Sequence, residues 1–495
     1  MGRSTCPSIR TGAGHGWSAA KRPKRKAVPC AAICAPSSSG KRKPPVRRMA
    51  CPMTIRDPGE RTELVSRRDI AAGIVRRLKE AGHEAWFVGG CVRDYLRGVE
   101  AGDYDIVTSA SPEAIQALFP RTVGVGIRFG ILIVIENGYS HEVATYRSPG
   151  GYLEDVLRRD FTINAMLQDP DTGRIIDEVG GRADLEGRVI RAVGRPDERF
   201  AEDRLRMLRA VRFAANLAFS VEQETLEAIQ AHAPEIQEVS VERVADELTR
   251  LLTLGGAGEG MRLLMKTGLL EELLPEVAAM RGVKQPPKFH PEGDVWTHTV
   301  KMLDLMSIPA DSRLAWGVLL HDVGKPDVQS RDHRGIHFYG HVQQGEILAE
   351  GILRRLRFPR ADMECILGLI RCHMSFINVR EMRTSRLKRL LRSPDFDLLL
   401  ELHRLDCLGS NGVLDSYEYC LQKQRELTDE QLRPPPLLRG KDLLEMGYLP
   451  GALFREILNA VEDAQLNGSI ATPEEARQLV KNRWPHRRIQ ISDQS

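Results

Sequence analysis

A glycine pair between a short strand pattern and a short helix pattern, followed closely by two aspartates spaced two apart, constrains this 495-residue chain more than any other feature. Val88-Gly89-Gly90-Cys91-Val92-Arg93-Asp94 runs from an apolar strand pattern over residues 85–88 into residues 92–97, which read as a helix. Backbone N–H groups at such a turn can reach a phosphate. Gly102-Asp103-Tyr104-Asp105 then leads into the apolar Ile106-Val107. Alternate residues of a strand face one side. A strand over residues 103–107 therefore presents Asp103 and Asp105 together, where they can hold a pair of divalent cations for in-line phosphoryl or nucleotidyl transfer. An isolated Asp-x-Asp is usually a solvated strand end; the glycine turn and the Val-Arg-Asp helix set this one apart.

Composition narrows the class. With 42% hydrophobic and 28% charged residues, the chain is long enough for three or four domains. It has no uninterrupted apolar run of the length that crosses a bilayer, so no membrane association is expected. The net charge of +4 is uneven: residues 1–48 carry twelve Lys and Arg and no acid, which leaves about −8 on the rest. A body of that sign must bind nucleic acid through a local basic surface rather than bulk charge. Of nine cysteines, Cys6, Cys30, Cys34 and Cys51 lie in the basic extension and the others are scattered. No disulfide framework emerges, which fits a reducing, cytoplasmic setting. Residues 1–53, rich in Gly, Ser, Pro and basic residues, are expected to be disordered. Lys21-Arg22-Pro23-Lys24-Arg25-Lys26 suits an RNA-binding tail or a nuclear signal, the acid-free composition suits a transit peptide, and an over-extended start with Met49 or Met53 as initiator explains both.

Residues 70–81 have the period of an amphipathic helix, and residues 103–107, 130–135 and 140–146 read as strands, the last two joined by the hairpin signal Asn137-Gly138. The expected fold is an α+β head over residues 54–195, an all-α neck over 196–285, a histidine-rich helical domain over 286–410 and a helical tail over 411–495. Helical patterns cover residues 202–217, 221–232, 240–252 and 260–270, and Arg433-Pro434-Pro435-Pro436 marks a linker. Eight of the thirteen histidines fall between His290 and His403.

A second motif, Arg158-Arg159-Asp160-Phe161-Thr162-Ile163-Asn164-Ala165, joins the glycine turn and Asp-x-Asp. Together they resemble the signatures of the tRNA nucleotidyltransferase and bacterial poly(A) polymerase family (class II, within the DNA polymerase beta superfamily). The resemblance implies Mg²⁺ in the head on Asp103 and Asp105, with Glu142, on a strand able to run beside them, as a third carboxylate. Gly89, Gly90, Arg93 and Arg159 would bind triphosphate, Arg159 as a planar fork, while Asp160 and Asn164 would orient it or hold ribose.

In Glu202-Asp203-Arg204-Leu205-Arg206-Met207-Leu208-Arg209-Ala210-Val211-Arg212-Phe213, Asp203 and Arg206 share a helix face that Arg209 and Arg212 continue, opposite a stripe of Leu205, Leu208 and Val211. Ordinary i,i+3 salt bridges would explain the pattern, but so would base selection. Cytosine and adenine both offer an exocyclic amine beside a ring-nitrogen acceptor, which one Asp–Arg pair can meet. Uracil and guanine present the reverse order and leave polar groups unpaired. In the family this helix is the protein template for C and A. Arg243 and Glu247 match a further signature, read as support for it.

His290-Pro291-Glu292-Gly293-Asp294-Val295-Trp296-Thr297-His298, Leu319-Leu320-His321-Asp322-Val323-Gly324-Lys325, Gly340-His341, Cys372-His373 and Leu405-Asp406 lie in apolar helical contexts. In that order they resemble an HD phosphohydrolase domain. The resemblance implies a divalent transition metal or Mg²⁺ on His298, His321, Asp322 and Asp406, with His341 and His373 on substrate phosphate or a second metal. Family members with this domain trim phosphates from RNA ends. Arg439-Gly440-Lys441-Asp442 and Asp463-Ala464-Gln465-Leu466-Asn467-Gly468 resemble the tRNA-gripping tail.

One departure stands out. Only ten residues, 148–157, separate Arg147 from Arg158, where full-length family members carry a longer loop that helps the switch from CTP to ATP. The expected partners are tRNA, CTP and ATP, with addition of CCA or of its two cytidines alone. A poly(A) polymerase and a phosphohydrolase with a vestigial head are the alternatives; a non-catalytic RNA binder has no need of paired carboxylates.

Overall fold

The computed structural model describes residues 66–126, 130–146, 151–288, 290–333 and 335–485. The basic extension, Arg147 and residues 148–150 of the short loop lie outside them. The first helix, Arg67–Glu80, is closed by a capping box in which Ser66 and Asp69 exchange side-chain and backbone hydrogen bonds. Its buried stripe of Ile70, Ile74, Val75 and Leu78 packs on a seven-stranded sheet.

The strands are β1 (Ala85–Val88), β2 (Asp105–Thr108), β3 (Thr122–Gly126), β4 (Ile131–Glu136), β5 (Tyr139–Thr145), β6 (Leu167–Gln168) and β7 (Ile175–Ile176), in the order β3-β4-β5-β2-β1-β6-β7. Only β2 and β5 run parallel. The β4–β5 hairpin turns on Asn137 (φ 49°) and Gly138 (φ 82°), the two left-handed residues that a tight hairpin needs. The sheet buries one core with Ile106, Leu132 and Val143 on one side, and a smaller one with Val88, Val107, Val156 and Leu167 on the other.

Two sequence expectations shift here. The second strand begins at Asp105, so Asp103 precedes it and does not share a strand face with Asp105. The pattern over residues 202–217 breaks into Pro196–Glu202 and Leu205–Leu217, because Asp203 is extended (φ −157°, ψ 105°). Its carboxylate accepts the Leu205 N–H at 3.1 Å, the bond of a cap rather than a mid-helix residue. Asp203 and Arg206 therefore do not lie on one helical face. Strands β3, β6 and β7 carried no readable signal: two have only two residues each, too few to alternate.

Beyond the sheet the chain is helical apart from short strand pairs. Leu205, Leu208 and Val211 are buried as the stripe required, each worth about 1.5–3 kcal/mol. One apolar cluster runs from Phe161 through the neck and histidine-region helices to Cys420, beyond the expected start of the tail at 411; the later part of the tail forms its own cluster around Leu443, Ile457 and Val480.

Candidate active sites

Parallel pairing of β2 with β5 sets Ile106 against Val143, which brings Asp105 and Glu142, one residue upstream on each strand, beside one another. They open onto a cleft of about 1600 Å³ between the sheet and the neck helices. Gly89, Gly90, Arg93, Asp103, Asp105, Glu142, Arg159, Asp160, Asn164, Asp203, Arg206, Arg209, Arg212 and Arg243 line it, whereas Glu247 does not.

The carboxylates are unevenly prepared. Burial first, then the negative charge of Glu142, pushes Asp105 up to about 6, with Asp103 adding to the rise and Arg159 opposing it. That is the electrostatic state a divalent cation relieves, and hard carboxylate oxygens suit Mg²⁺. Asp103 is 85% exposed, and Arg67 holds it at 2.8 Å while also bonding the Gly102 carbonyl. Its oxygen does not close with those of Asp105 and Glu142 into one of the tight ligand groups found among the described residues.

The arginines are pinned by partners. Arg93 donates to Asn164 at 3.0 Å and to Asp94 at 3.0 and 3.1 Å. Asp155, buried and unnoticed in the sequence, takes Arg159 at 2.9 and 3.1 Å; its place four residues before Arg159, near the end of the helix Tyr152–Leu157, was the available signal. Arg209 donates to Asp160 at 2.6 and 3.0 Å; burial opposes ionisation of Asp160, but the Arg209 charge wins and keeps its carboxyl below the ordinary range. Arg212 and Arg209 also bond Glu247, on the helix Val241–Thr253. The guanidiniums of Arg93, Arg209 and Arg212 gather around Phe213, the last at 4.0 Å from the ring centre. No sequence pattern marked that ring.

Asp203 and Arg206 do not bond each other. Asp203 is gripped by Arg243 at 2.7 and 3.2 Å. Arg206 donates to Glu202 at 2.8 Å and to the carbonyls of Arg199 and Arg158 at 3.1 and 2.9 Å. Both side chains still face the cleft.

The histidine region is organised differently. His298, His321 and Asp322 offer ligand atoms within 4.8 Å of one another, and so do Asp322, His341 and His373. His298 Nε2 stands 3.1 Å from Asp406 Oδ1, completing the expected set. Nδ1 of His321, His341 and His373 lies 2.9, 2.9 and 2.7 Å from the carbonyls of Val318, Phe338 and Ile370. Nδ1–H therefore donates outward and each Nε2 lone pair turns toward Asp322. Glu292, missed in the sequence, does the same for His298 at 2.8 Å. Nε2 of His298 and of His321 is buried and stands 3.1 and 3.2 Å from carboxylate oxygens of Asp406 and Asp322 without the geometry of a regular hydrogen bond, an arrangement of donor atoms that a divalent cation would satisfy.

Burial disfavours charge on His298, but Asp406 and Glu292 outweigh it and raise its pKa to about 9. Burial pushes His373 down to about 4. For Asp322 burial is again opposed, here by His321 and Lys325, and its carboxyl is held well below the usual range. Gly324 explains the His-Asp-x-Gly spelling: a Cβ there would sit 2.4 Å from both the His341 carbonyl and the Gly345 N, so glycine lets the helix His341–Arg355 approach.

A mixed sheet with clustered carboxylates, followed by a helical body, defines a nucleotidyltransferase head on an all-α chassis. Family models match in series: the poly A polymerase head domain at residues 85–191, the probable RNA and SrmB-binding site of polymerase A at 218–281, and the HD domain at 295–399. The A-adding tRNA nucleotidyltransferase of Deinococcus radiodurans is 34% identical over 423 residues, 81% of this chain and 95% of that protein. The CCA-adding enzyme of Geobacillus thermodenitrificans is 46% identical over 214 residues, 40% of this chain and 53% of that enzyme; the chain thus spans about half the length of that relative. The Bacillus stearothermophilus CCA-adding enzyme in complex with CTP superposes with a TM-score of 0.65 at 30% identity, over 84% of this chain and 98% of that one. The chain belongs to the tRNA nucleotidyltransferase and bacterial poly(A) polymerase family, as an enzyme of the tRNA nucleotidyltransferase type. Among the described residues, no helix is long and apolar enough to cross a membrane.

Proposed function

We propose that the head cleft transfers nucleotidyl groups from CTP and ATP to the 3′ end of tRNA, building all or part of CCA, and that the histidine centre hydrolyses phosphate groups at RNA ends. The observation that carries the first part is the convergence of separate sequence motifs on one cleft. Asp103, Asp105 and Glu142 would hold two Mg²⁺, which when bound lower the pKa of the primer hydroxyl and steady the leaving pyrophosphate. The Gly89-Gly90 backbone with Arg93 and Arg159 binds triphosphate oxygens, and Asp160 and Asn164 fix those arginines or the ribose. Asp203 and Arg206 select the base, backed by Arg209 and Arg212. For this, Asp203 exchanges Arg243, which is half exposed, for the exocyclic amine, and Arg206 turns one N–H to the ring nitrogen. In the second centre His298, His321, Asp322 and Asp406 hold a divalent transition metal or Mg²⁺, and His341 and His373 contact phosphate or a second ion. On this reading the working parts are a head over 54–195, a neck over 196–285, a hydrolytic domain over 286–410 and a tail over 411–495.

Which nucleotides are added turns on two observations that pull apart. The ten residues between Arg147 and Arg158 are few for a loop that must also re-form the pocket around a purine, and six of them, Tyr152–Leu157, are spent on a helix. That favours addition of the two cytidines alone. The Deinococcus relative, matched nearly end to end, is named for adding A. Transcripts of tRNA ending before CCA and ending in CC, each given labelled CTP alone, ATP alone or both, separate the readings. The short loop predicts two cytidines on the first transcript and little adenosine on either. The relative predicts adenosine on the CC-ended transcript and no cytidine. Long adenosine tracts on either would instead make it a poly(A) polymerase, and absence of all incorporation would overturn the proposal for the head.

A further inference from the structure

At the rim of the histidine centre stands an aromatic pair that nothing above uses. Residues Ser330–Asp332 and Gly335–His337 form a two-stranded hairpin. His337, the last strand residue, and Tyr339, in the turn that follows, stack with ring centroids 5.2 Å apart and planes 12° from parallel. Asp332, across the hairpin, bonds His337 Nε2 at 2.9 Å and fixes the imidazole. Tyr339 is 76% exposed, the most exposed of the large aromatics in the described residues.

Its position ties this platform to the metal-ligand cluster. Tyr339 precedes His341 by two residues, and its Cα is at most about 7.6 Å from that of His341, given ~3.8 Å per peptide step. The hairpin's exit is anchored in the cluster itself: the Phe338 carbonyl accepts from His341 Nδ1 at 2.9 Å, and the Lys325 ammonium, which bonds Asp322 at 2.6 Å, lies 5.3 Å over the Phe338 ring. Tyr339, stacked on His337 and otherwise exposed, is therefore held within two residues of His341, which with His373 would meet a phosphate.

We infer that His337 and Tyr339 form a stacking site for the nucleobase of the nucleotide whose phosphate enters the histidine centre. A flat heteroaromatic ring is the ligand an exposed tyrosine face takes best, and stacking tolerates every base. Joined to a neighbouring phosphate site, it makes a nucleoside phosphate, the terminal nucleotide of an RNA chain, the matching ligand. The inference rests on the hydrolytic reading of that centre for the phosphate half of the ligand, and on the aromatic pair alone for the base half.

The full chain supplied with Mn²⁺ is assayed on adenosine 3′-monophosphate and on glycerol 2-phosphate, which has no base. Tyr339→Ala should raise KM for the nucleotide about tenfold, a typical loss for one base–aromatic stack, with kcat nearly unchanged. KM for glycerol 2-phosphate should not move, and Tyr339→Phe should behave as wild type. An equal change on both substrates, or none on the nucleotide, overturns the inference. A second reading needs no turnover. Tyr339→Trp introduces a reporter whose emission, after subtraction of the wild-type chain with its five tryptophans, should be quenched by adenosine 3′-monophosphate and not by ribose 5-phosphate. Quenching without hydrolysis of either ester would sink the hydrolytic reading while sustaining the base site; hydrolysis without quenching would do the reverse.

Discussion

The head cleft and the histidine centre both gather acidic and basic side chains around a place for phosphate, yet they are prepared in opposite ways. In the histidine centre the supports point outward and the ligand atoms inward: each of four imidazoles spends Nδ1 on a carbonyl or on Glu292. In the head the functional groups spend themselves on one another. Arg67 holds Asp103, Arg243 holds Asp203 and Asp160 holds Arg209. A metal entering the first finds the imidazoles already aimed and must displace a proton from His298 and the Lys325 ammonium from Asp322, whereas the second must trade several ion pairs among its functional groups for ligand contacts. This difference follows from burial. Partners exposed as Asp103 and Arg243 are separate at little cost, since surface ion pairs are worth about 0–1 kcal/mol. An unpaired group at the position of His321 or Asp322 has no water to turn to.

The sharpest way to break the comparison is to disable one centre and watch the other. Asp105→Asn should lower nucleotide addition by about a thousandfold or more, since a cation-binding carboxylate supports several kcal/mol of transition-state charge. Hydrolysis of phosphate-ended RNA should be untouched. His321→Ala should do the opposite and also remove bound transition metal measured by mass spectrometry. If either folded variant lost both activities, the two centres would be one functional unit.

A smaller effect tests the trading of ion pairs. Arg206→Ala removes a donor to the ring nitrogen and should cost on the order of 1–3 kcal/mol of discrimination against UTP and GTP. Arg243→Ala, which merely frees Asp203, should change discrimination less than that. Unaltered rejection of UTP and GTP by the Arg206 variant would remove the base-selecting role from this side chain.

The smallest and most selective effect is in pH. Asp105 at about 6 stands above its ordinary 3.8, so the metal-free head holds a proton that the unfolded chain has lost, and between those values stability falls as pH rises. A cation needs the ionised carboxylate, so Mg²⁺ affinity in the head should weaken up to tenfold per pH unit below about 6. His298 at about 9 also stands above its ordinary 6.5, but here the charged form is the stabilised one. That contribution is complete below 6.5 and is lost as pH rises through about 9. Metal needs the neutral ring, so binding there should release close to one proton at pH 7.5. Titration calorimetry at that pH in two buffers of different ionisation enthalpy, with Asp105→Asn and His321→Ala isolating each site, should find proton release in the histidine centre and almost none in the head. Equal release in both would undo the distinction.

Much of this was legible from the chain. The strand β1 has the bounds its apolar run implied, and the Asn137-Gly138 hairpin formed where its turn chemistry required. The histidine and aspartate motifs converge, because His298, His341 and Asp406 sit on helices, and His321 and Asp322 in the turn that ends one, whose apolar neighbours are buried in the common core. Local pattern failed where a single residue served two elements. Asp203 occupies a helical period in the sequence but caps the next helix in space.

The residue types, their order and the local periods were determined by sequence alone, since propensity, turn chemistry and apolar spacing act over a few residues. Sequence alone thus placed the carboxylates, the arginine stripe and the ligand series. Tertiary structure decided the partners: that Asp155 seats Arg159, that Glu292 orients His298, that Arg243 rather than Arg206 holds Asp203, and that burial and Glu142 push Asp105 toward protonation. Such pairings depend on burial and on distances between segments far apart in the chain, as for Asp203 and Arg243, and the energy of a charge is set by what surrounds it in space.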